Sequence, residues 1–272
     1  NETMLYVASD GASLGDESEV CDVRDYLKSV TGFKSVRFRF RDVNDRKGNW
    51  RLMRELLVKY ERLIYLEEDC VTSPFFLHYM RDALKRYESN PEIFGVCAYR
   101  PPFSTAESNS QHSLLIPRFS AWGYGVWRDR DAYVEDHLES DEYGQLHRDP
   151  AMIKLACDAT GLDIVAKLRY VAKKNILAYD ILANFQLMNR RMNCVYPSVS
   201  LVRNIGHDGT GEHCAQTDRF DVELAVSLPS VDLDSVPAKR LLKKHAIFRS
   251  GGWYAYLRLR IRLFRGRYRL KP

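Results

Sequence analysis

The sequence predicts an α/β fold: a mixed, mostly parallel sheet flanked by helices, followed by a basic helical tail. Three observations carry that prediction. Short apolar runs alternate with amphipathic stretches through roughly the first hundred residues. Two of those runs stop abruptly in acidic turns. The C-terminal segment is rich in arginine and carries an apolar stripe at helical spacing.

Residues 4–8 are apolar and lead into Ser9-Asp10-Gly11, which reads as a buried strand entering a polar turn. Residues 17–28 read as a helix with Val20, Val23 and Leu27 on one face. Residues 35–40 alternate, placing Val36, Phe38 and Phe40 on one side of a strand. A turn over 44–48 precedes a helix over 50–60, whose Leu52, Met53, Leu56 and Leu57 face inward. The strand over 62–66 ends in Glu67-Glu68-Asp69. Ser73 then reads as a helix cap with Pro74 at the first helical position, and Phe76, Leu77, Met80, Leu84 and Tyr87 form the helix's apolar stripe. A third such strand covers 93–98.

Beyond this the pattern is less regular. Residues 101–112 read as a loop, 119–127 as an aromatic, glycine-rich segment, and 136–148 as a charged loop or short helix. Weak helical spacing covers 152–174, a helix covers 179–192, and a strand-like run covers 194–201. A Gly/His/Asp loop spans 204–214, and 218–238 reads as a surface connection.

The 272 residues are 45% hydrophobic and 28% charged, with 15 Gly and 10 Pro, which excludes collagen-like, low-complexity and mostly disordered chains. No apolar run is long enough to span a membrane. The net charge of +5 is unevenly spread. Residues 239–272 hold twelve Lys or Arg and no acid, whereas the other 238 residues hold 29 basic and 36 acidic groups. A cationic tail on an acidic body implies an anionic partner near that end, lipid headgroups before nucleic acid. The six cysteines are scattered without a CxxC pair, so reduced core cysteines are expected rather than a disulfide framework or a zinc site.

Five constellations could carry chemistry. The strand-end acids Glu67, Glu68 and Asp69 repel one another, and a divalent cation would relieve that repulsion. Oxygen donors suit Mg2+ or Mn2+. An acidic turn in water is the competing reading. Asp10 could bind a base or ribose, or could cap its own turn. The segment containing Trp122, Gly123, Tyr124 and Trp127 could stack on a sugar, or could be a buried strand packing aromatics over small residues. Asp180 follows Tyr179 at a helix start, where a carboxylate is favoured as a base or merely as a cap. The loop holding His207 and His213 could supply a metal or phosphate contact, although its spacing fits no zinc pattern.

In order, these pieces resemble GT-A-fold nucleotide-sugar glycosyltransferases, with the nearest likeness to bacterial polysaccharide-assembly enzymes related to the N-acetylglucosaminyltransferase I family. The matching positions are Ser9-Asp10-Gly11, the turn over 44–49, Leu66-Glu67-Glu68-Asp69, Ser73-Pro74-Phe75-Phe76, Trp122-Gly123-Tyr124-Gly125-Val126-Trp127, Tyr179-Asp180, and 197–206 with His213. The likeness runs over residues 4–214. It implies a GT-A domain over 1–217, a connection over 218–238 and a basic amphipathic tail over 239–272. It implies that Asp10, Glu67 and Glu68 bind the donor, that Asp69 and His213 hold Mn2+ or Mg2+, and that Trp122, Gly123, Tyr124 and Trp127 line the sugar and acceptor pocket. Asp180 would be the base of an inverting transfer from a nucleotide-diphosphate sugar to a glycan or lipid-linked acceptor.

The chain departs from the family pattern in having Glu68 for Asp, Tyr124 for Trp and Ser200 for Asn, and in beginning about one β-α unit late, so that the first family strand is expected to be absent. These departures leave a second reading, a degenerate GT-A domain acting as a membrane-associated assembly partner. In the tail, Tyr254, Leu257, Ile261 and Phe264 share a helical face beside Arg258, Arg262 and Arg265. That suits either a helix lying on anionic lipid or one packing on its own domain. The expected location is cytoplasmic, peripheral to the inner face of the membrane.

Overall fold

A computed structural model describes residues 2–102, 112–134, 149–174, 178–209, 216–233 and 239–265. The chain forms two compact units, Asn1–Tyr60 and Glu61–Pro272.

In the first unit, β1 (Met4–Ser9) and β2 (Ser35–Phe40) pair in parallel, with Ser9 opposite Phe40. They are joined through α1 (Glu17–Lys28), and α2 (Arg46–Tyr60) follows. The apolar spacing of α2 buries Trp50, Leu52, Met53 and Leu57, whereas α1 has no fully buried residue. Arg24 on α1 holds the carboxyl end of the strand pair. Its guanidinium donates to the Asp10 carbonyl at 2.9 Å, the Arg41 carbonyl at 2.6 Å and the Ser9 hydroxyl at 3.1 Å.

The second unit is built on a five-stranded mixed sheet. Its strands are β3 (Arg62–Tyr65), β5 (Ile93–Cys97), β6 (Leu114–Ile116), β7 (Tyr124–Trp127) and β8 (Asn193–Tyr196), in the order β3-β7-β5-β8-β6. Only β5 and β8 run parallel; the other three pairings are antiparallel. This corrects the mostly parallel sheet expected from the sequence. The aromatic, glycine-rich segment is itself a strand, and it inserts antiparallel between β3 and β5. A small antiparallel pair, β4 (Cys70–Thr72) with β9 (Val202–Asn204), stands apart.

Helix α3 (Phe76–Tyr87) lays its predicted stripe on the sheet. Its Phe76, Met80 and Leu84 pack with Val96, Trp127, Val195 and Val202, and the Trp127 indole donates to the Leu84 carbonyl at 3.2 Å. The short α4 (Arg128–Asp131) follows β7. The weak helical spacing over 152–174 resolves into three pieces: α5 (Pro150–Leu155), a π-helical turn (Ala156–Thr160), and α6 (Asp163–Lys174). Gly161, at φ 110°, separates the last two. Helix α7 (Tyr179–Asn189) precedes β8.

The tail forms α8 (Lys239–Arg249) and α9 (Trp253–Phe264). His245, Ala246, Tyr256 and Leu263 are buried. His245 Nδ1 lies 2.7 Å from the Ala159 carbonyl, and the Tyr256 hydroxyl donates to the Cys157 carbonyl at 2.9 Å. Burial first, with Arg249 beside it, pushes the His245 imidazole down to about 3, so it is neutral. The tail therefore packs on the π turn with one face. On α9 Trp253, Tyr254, Leu257, Ile261 and Phe264 remain exposed. The segment over 216–233 is also tied down. The Ala225 carbonyl accepts from Ser73 Oγ at 2.7 Å and the Val231 carbonyl from the Tyr87 hydroxyl at 2.5 Å.

Among the described residues, Cys21, Cys70, Cys97, Cys157 and Cys194 are free thiols, and the last three are buried. No described helix is long and apolar enough to cross a membrane.

Candidate functional site

The acidic strand end follows directly from the pairing of β3 and β4. Strand β3 stops at Tyr65, opposite Tyr124, and Cys70 begins β4 opposite Asn204. Residues 67–69 thus turn between two strand pairs and lie against the chain after β9. The Ile205 amide donates to the Asp69 carbonyl at 2.8 Å. A Cβ on Gly206 would stand 2.4 Å from Asp69 Oδ2, so glycine permits the close approach of backbone to carboxylate.

Ligand atoms of Glu67, Asp69 and Cys70 all lie within 4.8 Å of one another. Burial first, then the neighbouring charges of Asp69, Glu68 and Asp180, raise the Glu67 carboxyl from 4.5 to about 7. The Cys70 thiol is pushed up by burial and then by Asp69, and donates to Asp69 Oδ1 at 3.5 Å. A protonated thiol is a poor ligand, which leaves two carboxylates as hard oxygen donors. Glu68 is exposed, at the outer edge of the same turn.

An aromatic wall stands beside the acids. Tyr124 is stacked between Tyr65 at 5.3 Å and Tyr179 at 5.8 Å, and meets the Phe119 edge at 4.7 Å. Burial, then Glu67 and Glu68, push the Tyr65 phenol up to about 12. Trp122 is partly exposed and meets Tyr99 at 4.6 Å, His207 at 5.1 Å and Phe220 at 5.4 Å, each edge-to-face. Gly123 between them takes φ +68°, a left-handed conformation that favours glycine. Asp180 lies in the first turn of α7 and acts electrostatically on Glu67. Its carbonyl accepts from Asn184 Nδ2 at 2.7 Å, and the same buried amide donates to and accepts from the Phe119 backbone at 3.0 and 2.9 Å. Asn184 thereby joins the start of α7 to the segment leading into the aromatic wall.

Glu67, Glu68, Asp69, Trp122, Gly123, Tyr124 and Asp180 thus belong to one region of the second unit. Trp127 does not join them. It lies at the opposite end of β7, opposite Arg62, and its ring is in the core against α3. Asp10 belongs to the first unit. Its Oδ1 accepts from the Gly11 amide at 3.0 Å and the Asp45 amide at 2.8 Å, so the turn-capping alternative describes that oxygen. His213 lies outside the described residues.

A comparison with models of protein families finds no match, and neither does a comparison with curated proteins.

Tyr65 was not singled out from sequence, and His207 was singled out for a metal or phosphate contact rather than an aromatic one. Tyr65 closes the aromatic stack, and the only signal for it was its place at a strand end. His207, in the two-histidine loop, meets Trp122 and Phe220, and neither enclosed ring nitrogen has a hydrogen-bond partner.

Proposed function

We propose that the chain is a metal-dependent, inverting glycosyltransferase that moves a sugar from a nucleotide-diphosphate sugar to the hydroxyl of a glycan or lipid-linked acceptor. One observation carries the reading. Two carboxylates close enough to share a cation, Glu67 and Asp69, sit at a strand end beside an aromatic wall and within the field of a third, Asp180.

In this reading Asp69 and Glu67 hold Mn2+ or Mg2+, whose charge would offset that of the departing diphosphate. The missing side chain at Gly206 leaves room for the Asp69 carboxylate. Trp122 offers a face or edge to sugar rings, and Gly123 lets backbone approach them. Asp180 takes the proton of the acceptor hydroxyl as that oxygen bonds to the anomeric carbon and the bond to the donor diphosphate breaks. The exposed stripe Tyr254, Leu257, Ile261 and Phe264, flanked by Arg258 and Arg262, suits an anionic membrane surface where a lipid-linked acceptor would be met.

The test is thermal stabilisation by UDP, GDP, dTDP and CMP, each with and without Mn2+. A rise for one nucleotide that requires Mn2+ and is lost in Asp69→Asn is the expected outcome. No rise with any nucleotide would overturn the transferase reading in favour of a degenerate, non-catalytic domain.

A further inference from the structure

Behind Tyr99 the second unit gathers more positive charge than it neutralises. Arg118, nearly fully buried, forms a two-pronged ion pair with Asp163, both contacts at 2.9 Å. Arg249, at the end of α8, lies alongside that pair. A Cβ built on Gly161 would stand 2.7 Å from Arg249 Cβ, 2.8 Å from Asp163 Oδ1 and 3.5 Å from Arg118 Nη1. Arg219 completes the group. It donates to the Phe248 carbonyl, and its guanidinium lies 4.8 Å from the Phe248 ring. Among the described residues these three guanidiniums share the Asp163 carboxylate, which is already engaged by Arg118 and lies 3.8 Å from Lys167 Nζ, with Asp180 acting on Arg118 from further off. The adjacent His245 is neutral.

Among the described residues Arg249 is the member of the group with no ion pair or hydrogen bond from its fork. Its Nε and Nη2 are enclosed and make no hydrogen bond. Those two nitrogens form the side-on fork of a guanidinium, two parallel N–H groups spaced to grip two oxygens of one oxyanion. The guanidinium carbon is 5.9 Å from the Tyr99 ring, and Tyr99 in turn meets Trp122. The fork is thus one aromatic ring away from the candidate site, and the residue as a whole is only partly buried.

We propose that the Arg249 fork, with Arg118 and Arg219 behind it, is a subsite for a phosphoryl group of a bound molecule. The surplus charge favours a doubly charged phosphate over a singly charged carboxylate. The subsite stands on these residues alone and does not depend on glycosyl transfer.

The test uses the full chain with inorganic phosphate as probe and acetate as the carboxylate probe, at ionic strength matched with chloride. Phosphate should give a saturable rise in Tm of about 2 °C or more, as expected for any ligand that binds only the folded state. Acetate should not. Arg249→Gln should abolish the rise, and Arg249→Lys, a point charge without a fork, should weaken it at least about tenfold in apparent affinity. In the unsubstituted protein, phosphate should also protect Arg249 from phenylglyoxal, mapped by peptide mass, which keeps the proposal testable if the variants fold poorly. An equal rise in Arg249→Gln, an equal response to acetate, or no protection would overturn it. Flotation with phosphatidic acid vesicles separates the sources of the group. Binding lost in Arg249→Gln assigns a lipid headgroup, whereas binding retained, with the phosphate response lost, assigns a soluble phosphorylated compound.

Discussion

Substituting Glu67 by Gln should change how stability depends on pH in the ion-free protein. Burial and the three nearby acids raise this carboxyl from 4.5 to about 7. Between those values the folded chain holds a proton that the unfolded chain has released. The stabilisation is complete below pH 4.5 and is lost as pH rises through 7. At 1.36 kcal/mol per unit, and with the part already lost at pH 5 removed, the group costs about 2.5 kcal/mol between pH 5 and pH 8. In a unit of this size that corresponds to about 5–10 °C in Tm. Gln keeps the shape and cannot ionise. Melting curves recorded by circular dichroism in EDTA should therefore diverge, with the variant more stable than the parent at pH 8 and the two close at pH 5. Mn2+ at pH 8 should narrow the gap by stabilising the parent more. Superimposable pH profiles without metal would refute the account of Glu67 as a carboxyl crowded by burial and like charge.

Three further outcomes are expected. Asn184→Ala should lower stability by about 2–4 kcal/mol in urea titration, because it strands the Phe119 amide and carbonyl in the interior; a loss under about 1 kcal/mol would deny the amide that role. Gly123→Ala must place a methyl 2.8 Å from Val202 Cγ2 at φ +68° and should cost about 2 kcal/mol more than Gly209→Ala, whose nearest neighbour is 3.6 Å away at a similarly positive φ of 96°; equal losses would leave strain alone as the cause. Gly206→Ala should push the Asp69 carboxylate aside and weaken Mn2+ binding, read by the electron-spin signal of the free ion, at least about tenfold; unchanged affinity would remove Gly206 as a positioning residue.

Regular elements were legible from sequence, and short or inserted ones were not. The helical period over 17–28 and the alternation over 35–40 match α1 and β2 residue for residue. Strands β4 and β6 have three residues each, too few to show a period. The direction of β7 was hidden because pairing partners are set by packing in three dimensions, and its glycines lowered its apparent strand character. The acidic turn was visible because charge directly after an apolar strand is a local pattern. Arg249 was not, because twelve basic residues read together as one solvated face, and only the close approach at Gly161 separates this one from the rest.

The sheet order has a consequence for biosynthesis. Every pairing in the five-stranded sheet involves either β7 or β8: β3 with β7, β7 with β5, β5 with β8, and β8 with β6. As the chain leaves the ribosome, β3 emerges long before the residues that hydrogen-bond to it, and so does β5. The Glu67–Asp69 turn, set between β3, whose only described neighbour is β7, and β4, which pairs with β9, acquires its shape late, once Tyr124–Trp127 has threaded between two segments already made and Val202–Asn204 has followed. Such non-local closure slows folding and leaves apolar strand edges waiting. A nascent chain stalled before Tyr124 should therefore be a target for chaperones that bind exposed β-strands, whereas one released after Tyr196 can complete the sheet unaided.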